Sequence, residues 1–182
     1  MSALVEDLLL LARLDSEPTL DLQPTDVTEL VLDAVSDARA ASPDHSWLLE
    51  LPPEVVVARA DRYQLLQVLA NLLANARTHT PAGTTVVTRI RREGQHVRID
   101  VADNGPGIPA DLQPRVFERF TRGDDSRNRA SGSTGLGLSI VAAVAGAHAG
   151  RVDLASEPGR TVFTVWLPSD GPHSSNPIPQ TQ

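Results

Sequence analysis

Residues 61–81 read DRYQLLQVLANLLANARTHTP, and two interleaved patterns run through them. Leu65, Leu69, Leu72, Leu73 and Ala76 recur at the spacing of one helical face. Gln67, Asn71, Asn75 and His79 fall four apart, largely on the other side. The spacing predicts a helix from about Asp61 to Thr78, stopped by Pro81 and Gly83. Asparagine is a poor helix former because its amide competes for backbone groups. Two of them one turn apart in mid-helix therefore either face a ligand or sit on a tolerated, solvated face, and periodicity alone does not choose.

Working outward, residues 2–15, SALVEDLLLLARLD, predict a helix with Leu4, Leu8, Leu11 and Asp15 along one line and Val5 and Ala12 beside it. Such a stripe either packs on the rest of the domain or belongs to a coiled coil. Pro18 and Pro24 flank an extended piece, Leu20–Gln23; Asp26 with Glu29 three residues on then starts a helix ending near Ala41. Strand-like runs follow at Ser46–Leu51 and Val55–Ala60. Beyond the central helix, Thr84–Arg92 and His96–Ala102 predict a hairpin turning at Glu93-Gly94. A last helix from Gly135 to about Ala149 and two strands, Arg151–Ala155 and Thr161–Leu167, close the domain. Strands interleaved with three long helices point to an α/β (α+β) two-layer sandwich, a mixed sheet covered on one face. The tail from Ser169, with three prolines and one aliphatic residue, has too little apolar surface to order itself.

Composition narrows the chemistry. The 182 residues contain no cysteine, which excludes disulfides, thiolate metal sites and cysteine nucleophiles. All 16 basic residues are arginine, so a Walker-type phosphate loop, a Schiff base and the eukaryotic protein-kinase lysine are excluded as well. A net charge of −7 argues against nucleic acid or an anionic membrane as partner. That charge is uneven: Arg115–Arg129 carries +2 against −9 for the remainder. The apolar runs Leu8–Ala12 and Ile140–Ala147 fall short of the roughly 20 residues of a membrane helix, and Met1 is not followed by a basic leader with a cleavage site.

Three further segments carry chemistry. Asp103-Asn104-Gly105-Pro106-Gly107-Ile108-Pro109 follows a strand directly. Its glycines allow close backbone approach, the acid at the strand end is an acceptor for an exocyclic amine, and Ile108 offers an apolar wall, which describes an adenine pocket. The same dipeptides also make ordinary turns. Gly132–Ser139, GSTGLGLS, leads into the last helix, where free backbone N–H groups and the helix dipole suit an anion; the order GxxGxG is not the dinucleotide fingerprint. Between them lies Phe117-Glu118-Arg119-Phe120-Thr121-Arg122 and a polar stretch through Ser131. This reads as a lid over an anionic ligand, with Arg119 and Arg122 as phosphate contacts, or as a solvated loop balanced by Asp124 and Asp125.

NLLANARTHTP, DNGPGIP, VFERF and GLGLSI, in this order, together resemble the N, first glycine, F and second glycine boxes of the histidine-kinase ATP-binding domain over about residues 20–168. The resemblance implies the Bergerat sandwich, a mixed five-stranded sheet covered on one face by three helices. It implies ATP and Mg²⁺ as ligands, with Asn75 as the catalytic, metal-coordinating residue and Asn71 beside the triphosphate. Asp103 would bind the adenine amine with Thr161 nearby, Gly105, Gly107 and Ile108 would shape the base pocket, and His79 would line the nucleotide. Arg119 and Arg122 would reach the phosphates from above, and Gly135, Leu136, Gly137 and Leu138 would wrap them from below. VEDLLLLARLD resembles the end of the dimerisation helix that precedes this domain. The expected organisation is thus a helix stub (1–17), the catalytic domain (18–168) and a disordered tail (169–182).

Three departures stand out. The last glycine box, Pro158-Gly159-Arg160-Thr161, lacks a second glycine, and Thr78 stands where many relatives carry a basic residue. Neither His45, His79, His96, His148 nor His173 is followed by an acid, Arg and Pro, the phosphoacceptor pattern. The resemblance therefore implies a monomeric catalytic fragment of a homodimeric bacterial plasma-membrane sensor kinase, facing the cytoplasm. Its partners would be its own dimerisation domain and a response regulator, with no nucleic acid and no membrane contact by the fragment. ATP-hydrolysing relatives need a carboxylate one turn before the metal-binding asparagine; here that place holds Asn71, whose amide cannot take a proton. A non-catalytic nucleotide-sensing module is the remaining alternative.

Overall fold

The computed structural model describes residues 3–16, 20–121 and 135–169. Helix α1 (Ala3–Ser16) precedes β1 (Gln23–Asp26), α2 (Val27–Ala41), β2 (Ser46–Glu50), β3 (Val57–Ala60) and α3 (Arg62–His79). The hairpin β4 (Thr85–Glu93) and β5 (His96–Asp103) follows, then a single 3-10 turn at Gln113–Arg115, α4 (Gly137–Ala147), β6 (Arg151–Glu157) and β7 (Arg160–Pro168). Both α2 and α3 begin at an aspartate. Asp26 accepts the Glu29 N–H at 2.9 Å and Asp61 accepts those of Tyr63 and Gln64 at 3.1 Å, satisfying amides that have no partner inside a helix. The N–H of Asp61 in turn donates to Nε2 of buried His148 at 3.0 Å, and Nδ1 of that ring donates to the Val144 carbonyl at 2.8 Å. One imidazole thereby joins the start of α3 to the end of α4.

The main sheet has the order β2-β4-β5-β7-β6, with β2 parallel to β4 and the other pairs antiparallel, so it is mixed and five-stranded as expected. Alternate residues Val97, Ile99 and Val101 of β5 and Phe163, Val165 and Leu167 of β7 are at most 2% exposed. They form one core with Leu30, Leu65, Leu69, Leu72 and Ile140 from the helices; each such side chain stabilises the fold by roughly 1.5–3 kcal/mol on burial. Helix α3 packs on α2 along one side and on α4 along the other. This central place brings its polar residues to the first turn of α4. On the opposite face of the sheet, Trp166 lies between the guanidinium groups of Arg98 and Arg151, 5.2 and 4.6 Å from its ring centre.

Several elements differ from expectation. The run Val55–Ala60 is a strand only from Val57, and it pairs with β1 outside the main sheet, Asp26 opposite Val57 and Gln23 opposite Ala60. That pairing shifts the extended piece expected at Leu20–Gln23 to Gln23–Asp26. Helix α4 starts at Gly137 because Gly135 holds φ at +69°. In α1 the burying line runs through Leu10, Leu11 and Leu14, with Leu11 1% exposed and the helix lying on α4; Leu4, Val5, Leu8 and Leu9 stay exposed. The tail from 170 onward lies outside the described residues, while the Ser169 N–H donates to the Gln95 carbonyl at 2.9 Å. Among the described residues no helix is long and apolar enough to cross a membrane.

Candidate functional site

Asp103 ends β5 directly opposite Thr161 of β7, so the register itself brings together two residues 58 positions apart. Asp103 is 8% exposed. Its Oδ1 accepts the Gly105 N–H at 2.9 Å, and among the described residues no donor is bonded to Oδ2. Burial pushes this carboxyl above its ordinary pKa, and the Gly105 N–H pulls partly the other way. Thr161 shares a 3.0 Å hydrogen bond with the Ser156 hydroxyl, which also accepts the Ile108 N–H at 2.8 Å. Gln113 donates to the carbonyls of Ile108 and Ser156, and the Gly159 N–H donates to the Gly105 carbonyl at 2.9 Å. The loop after β5 is thus laced to the β6–β7 turn.

Two glycines in that loop have no room for a side chain. A Cβ on Gly105 would lie 2.6 Å from Thr80 Cγ2 and 2.8 Å from Asp103 Oδ1. Gly107 combines φ of +83° with an approach of 2.7 Å to the Glu157 carbonyl oxygen. The result is a narrow cavity of about 30 Å³ lined by Asn75, His79, Thr80, Asp103, Pro106, Gly107, Ile108 and Thr161. A larger groove, about 610 Å³, lies on the other face of the sheet, lined by Arg89, Arg91, Arg98, Arg160, Glu50 and Asp100 among others. Size does not decide between them. In the groove Arg89 pairs with Glu50 and Arg98 with Asp100 and Glu93, whereas the approaches open only to glycine, at Gly105 and Gly107, belong to the smaller cavity.

One turn before Asn75, Asn71 lies against the start of α4, its Oδ1 3.3 Å from where a Cβ on Gly137 would stand. Its Nδ2 is buried with no hydrogen-bond partner among the described residues, a costly arrangement for an amide in a protein interior. The solvated-face alternative for the polar stripe does not hold at Asn71. Leu136, at the N-cap of α4, has no side-chain oxygen with which to cap the helix. The Leu136 side chain itself is fully buried and contributes to the core. The Gly135 carbonyl accepts the Phe120 N–H at 2.9 Å, joining the two ends of the segment 121–135. Phe117 packs edge-on to Phe163 with ring centres 6.2 Å apart, which ties the stretch leading to Phe120 to the core.

The structure therefore gathers Asn75, His79, Asp103, Gly107, Ile108 and Thr161 around one cavity, with Gly105 behind it and Asn71 beside Gly137 at the head of α4. Arg119 is exposed and does not line the cavity. Arg122 lies outside the described residues. Sequence reasoning missed Thr80 and Pro106 in the wall, and Ser156 and Gln113 in the lacing. Thr80 and Pro106 stand inside stretches already singled out; Ser156 and Gln113 gave no local signal, because their roles arise from pairing across 43 residues or more.

This is a two-layer sandwich whose candidate site residues sit between one strand end, the middle helix and the head of a third helix, the architecture of nucleotide-binding catalytic domains. The sequence model described as "Histidine kinase-, DNA gyrase B-, and HSP90-like ATPase" matches residues 60–171. The chain belongs to that family, and within it to the ATP-binding catalytic domains of sensor histidine kinases. It is 58% identical to the probable sensor histidine kinase TcrY of Mycobacterium tuberculosis over 97% of its own length, spanning 38% of that protein. Among solved structures, the ATP binding domain of PrrB from Mycobacterium tuberculosis is 31% identical with a TM-score of 0.67, covering 84% of this chain and 98% of that one. Full-length ShkA in complex with AMPPNP is 31% identical with a TM-score of 0.73, covering 91% of this chain and 35% of that one.

Proposed function

We propose that the cavity and the head of α4 form one ATP site, and that this site delivers the γ-phosphoryl group to a histidine on a separate dimerisation domain. The observation that carries the reading is the buried Nδ2 of Asn71, without a partner among the described residues, set against Gly137 at the head of α4. A donor there is satisfied by a phosphate oxygen, and the helix start favours the same negative charge. Asp103 reads the adenine amine with its unengaged Oδ2, across from Thr161. Gly105 and Gly107 let the backbone meet the base, and Ile108 packs on it. His79, exposed and in the cavity wall, lines the nucleotide beside Asn75 and Thr80. Gly135 to Leu138 hold the phosphates from below, and Arg119 and Arg122 are the arginines assigned to contact them.

Asn75 offers one neutral oxygen, and among the described residues no group of three or more His, Cys, Asp or Glu is assembled. This donor set suits a Mg²⁺ that arrives with the phosphates and keeps most of its positions for their oxygens and water. Such an ion would supply charge neutralisation at the phosphates, with Asn75 as the residue that would hold it. The protein's part is positioning: Asn71 and the head of α4 fix the triphosphate, and Asp103 fixes its other end. Asn71 is no proton acceptor, so water at the γ-phosphate is not activated and transfer to an imposed imidazole is favoured over hydrolysis. The whole protein would be a homodimeric sensor kinase at the bacterial plasma membrane, with this domain in the cytoplasm and a response regulator downstream. ShkA's complex with AMPPNP, an ATP analogue, supports the nucleotide. The test is calorimetry of ATP with and without Mg²⁺: saturable binding strengthened by the ion is expected, and absence of binding under both conditions refutes the site.

A further inference from the structure

His45 lies in the loop between α2 and β2, buried, and takes no part in the chemistry above. Its Nε2 is 3.0 Å from Thr80 Oγ1, and the Thr80 hydroxyl donates to the Ala76 carbonyl at 2.7 Å, so the ring N–H is the donor to Thr80. At the other end Nδ1 lies 3.0 Å from Ser42 Oγ and 3.1 Å from Asp44 Oδ1, and Ser42 Oγ is itself 2.6 Å from Asp44 Oδ1. The ring also packs on Trp47, centres 5.8 Å apart, and the Trp47 indole N–H is tied to the Ser42 carbonyl at 2.9 Å. The imidazole is thereby fixed in position and orientation from the side away from the cavity.

Thr80 is where this network reaches the site. It lines the cavity, and its Cγ2 sits 2.6 Å from where a Cβ on Gly105 would be, so the methyl group bears directly on the Gly105 backbone. Gly105 N–H is the one donor to Asp103 Oδ1 among the described residues. A rotation of Thr80 about χ1 exchanges its methyl and hydroxyl positions, shifts the support under Gly105 and with it the carboxylate. We propose that His45 is a positioning residue for the nucleotide site, holding the Thr80 rotamer that sets Gly105 and thereby the orientation of Asp103 toward the base. The proposal rests on the reading that Asp103 receives the adenine amine.

The readout is selectivity between ATP and ITP, which differ in an amine or a carbonyl at the position Asp103 reads, measured by calorimetry beside a thermal melt. His45→Phe keeps a ring against Trp47 and removes both nitrogens; Thr80→Val keeps the volume and removes the hydroxyl. Each is expected to weaken ATP binding by about 2- to 10-fold, the worth of one neutral hydrogen bond, with little change for ITP. The double variant is expected to lose no more than either single one, because both break the same link. His45→Gln, with an amide N–H in reach of Thr80, is expected to recover most of the loss. Should His45→Phe fail to fold, Thr80→Val and His45→Gln carry the test. Folded variants with wild-type ATP-over-ITP selectivity, or losses that multiply in the double variant, overturn the proposal. Asp103→Asn separates the two layers: if it leaves selectivity unchanged the base-pocket reading falls and the proposal with it, whereas if it acts and the His45 and Thr80 variants do not, the proposal alone falls.

Discussion

On the proposed reading, replacing Asp103 by asparagine changes one atom at the point where the base is read. The Gly105 N–H binds Oδ1 at 2.9 Å and will keep an oxygen there, so the new NH₂ takes the place of Oδ2. A donor then meets the adenine amine, also a donor. The lost interaction is a hydrogen bond to a charged acceptor, worth about 1.5–3 kcal/mol, which is about a 10- to 150-fold loss of ATP affinity. ITP, whose carbonyl accepts, gains relative to ATP. The effect on stability runs the opposite way. Burial raises the carboxyl's pKa in the folded state, so the native state favours the protonated form, and stability falls as pH rises from the ordinary carboxylate range through the raised value. Asparagine carries no such penalty. The variant is therefore expected to melt no lower than wild type at neutral pH, with any advantage vanishing at acid pH. Calorimetry with ATP and ITP, beside melting curves at pH 4 and 7, reads both effects. A native melt with unchanged ATP affinity would refute the reasoning.

Other substitutions probe separate parts of the account. Asn75→Ala is expected to bind ATP with little dependence on Mg²⁺ while keeping its circular dichroism; the same Mg²⁺ enhancement as wild type would count against Asn75 as a ligand. Gly107→Ala meets a carbonyl oxygen 2.7 Å away at a positive φ, and should cost about 1–3 kcal/mol of stability, visible as a lower melting temperature together with weaker nucleotide binding. Leu11→Ala, which empties a side-chain position 1% exposed beneath α1, should cost about 2–5 kcal/mol in urea unfolding; a loss under about 0.5 kcal/mol, the range of surface substitutions, would mean that α1 is not part of the folded unit. Wild-type affinity for ATP should weaken on acidification at a pH above the ordinary carboxylate range, because the raised pKa of Asp103 places its protonation there, and this shoulder should be missing in Asp103→Asn.

The central helix and its two faces were legible because a regular apolar spacing has one helical solution, and the same pattern placed Asn71 and Asn75 one turn apart. Asp103 was legible as an acid at a strand end. Its partner Thr161 became more than a neighbour only through the β5–β7 register, which no local pattern encodes. Equally hidden were the separate pairing of β1 with β3 and the choice of Leu10, Leu11 and Leu14 as the burying line of α1. In α1 nearly every position from Leu8 to Leu14 is apolar, so the helix has no single marked face and the surface of α4 selects one. His45 looked like an isolated histidine because its partner Thr80 lies 35 residues on.

The central claim is that this domain presents ATP to a histidine it does not carry. The direct test is transfer of labelled γ-phosphate from ATP–Mg²⁺ to a separately supplied dimerisation domain of the same kinase. The account predicts label on its histidine, strongly reduced with the Asn75→Ala or Asp103→Asn domain. Tight ATP binding with no label on that histidine, or release of free phosphate in its place, would contradict it.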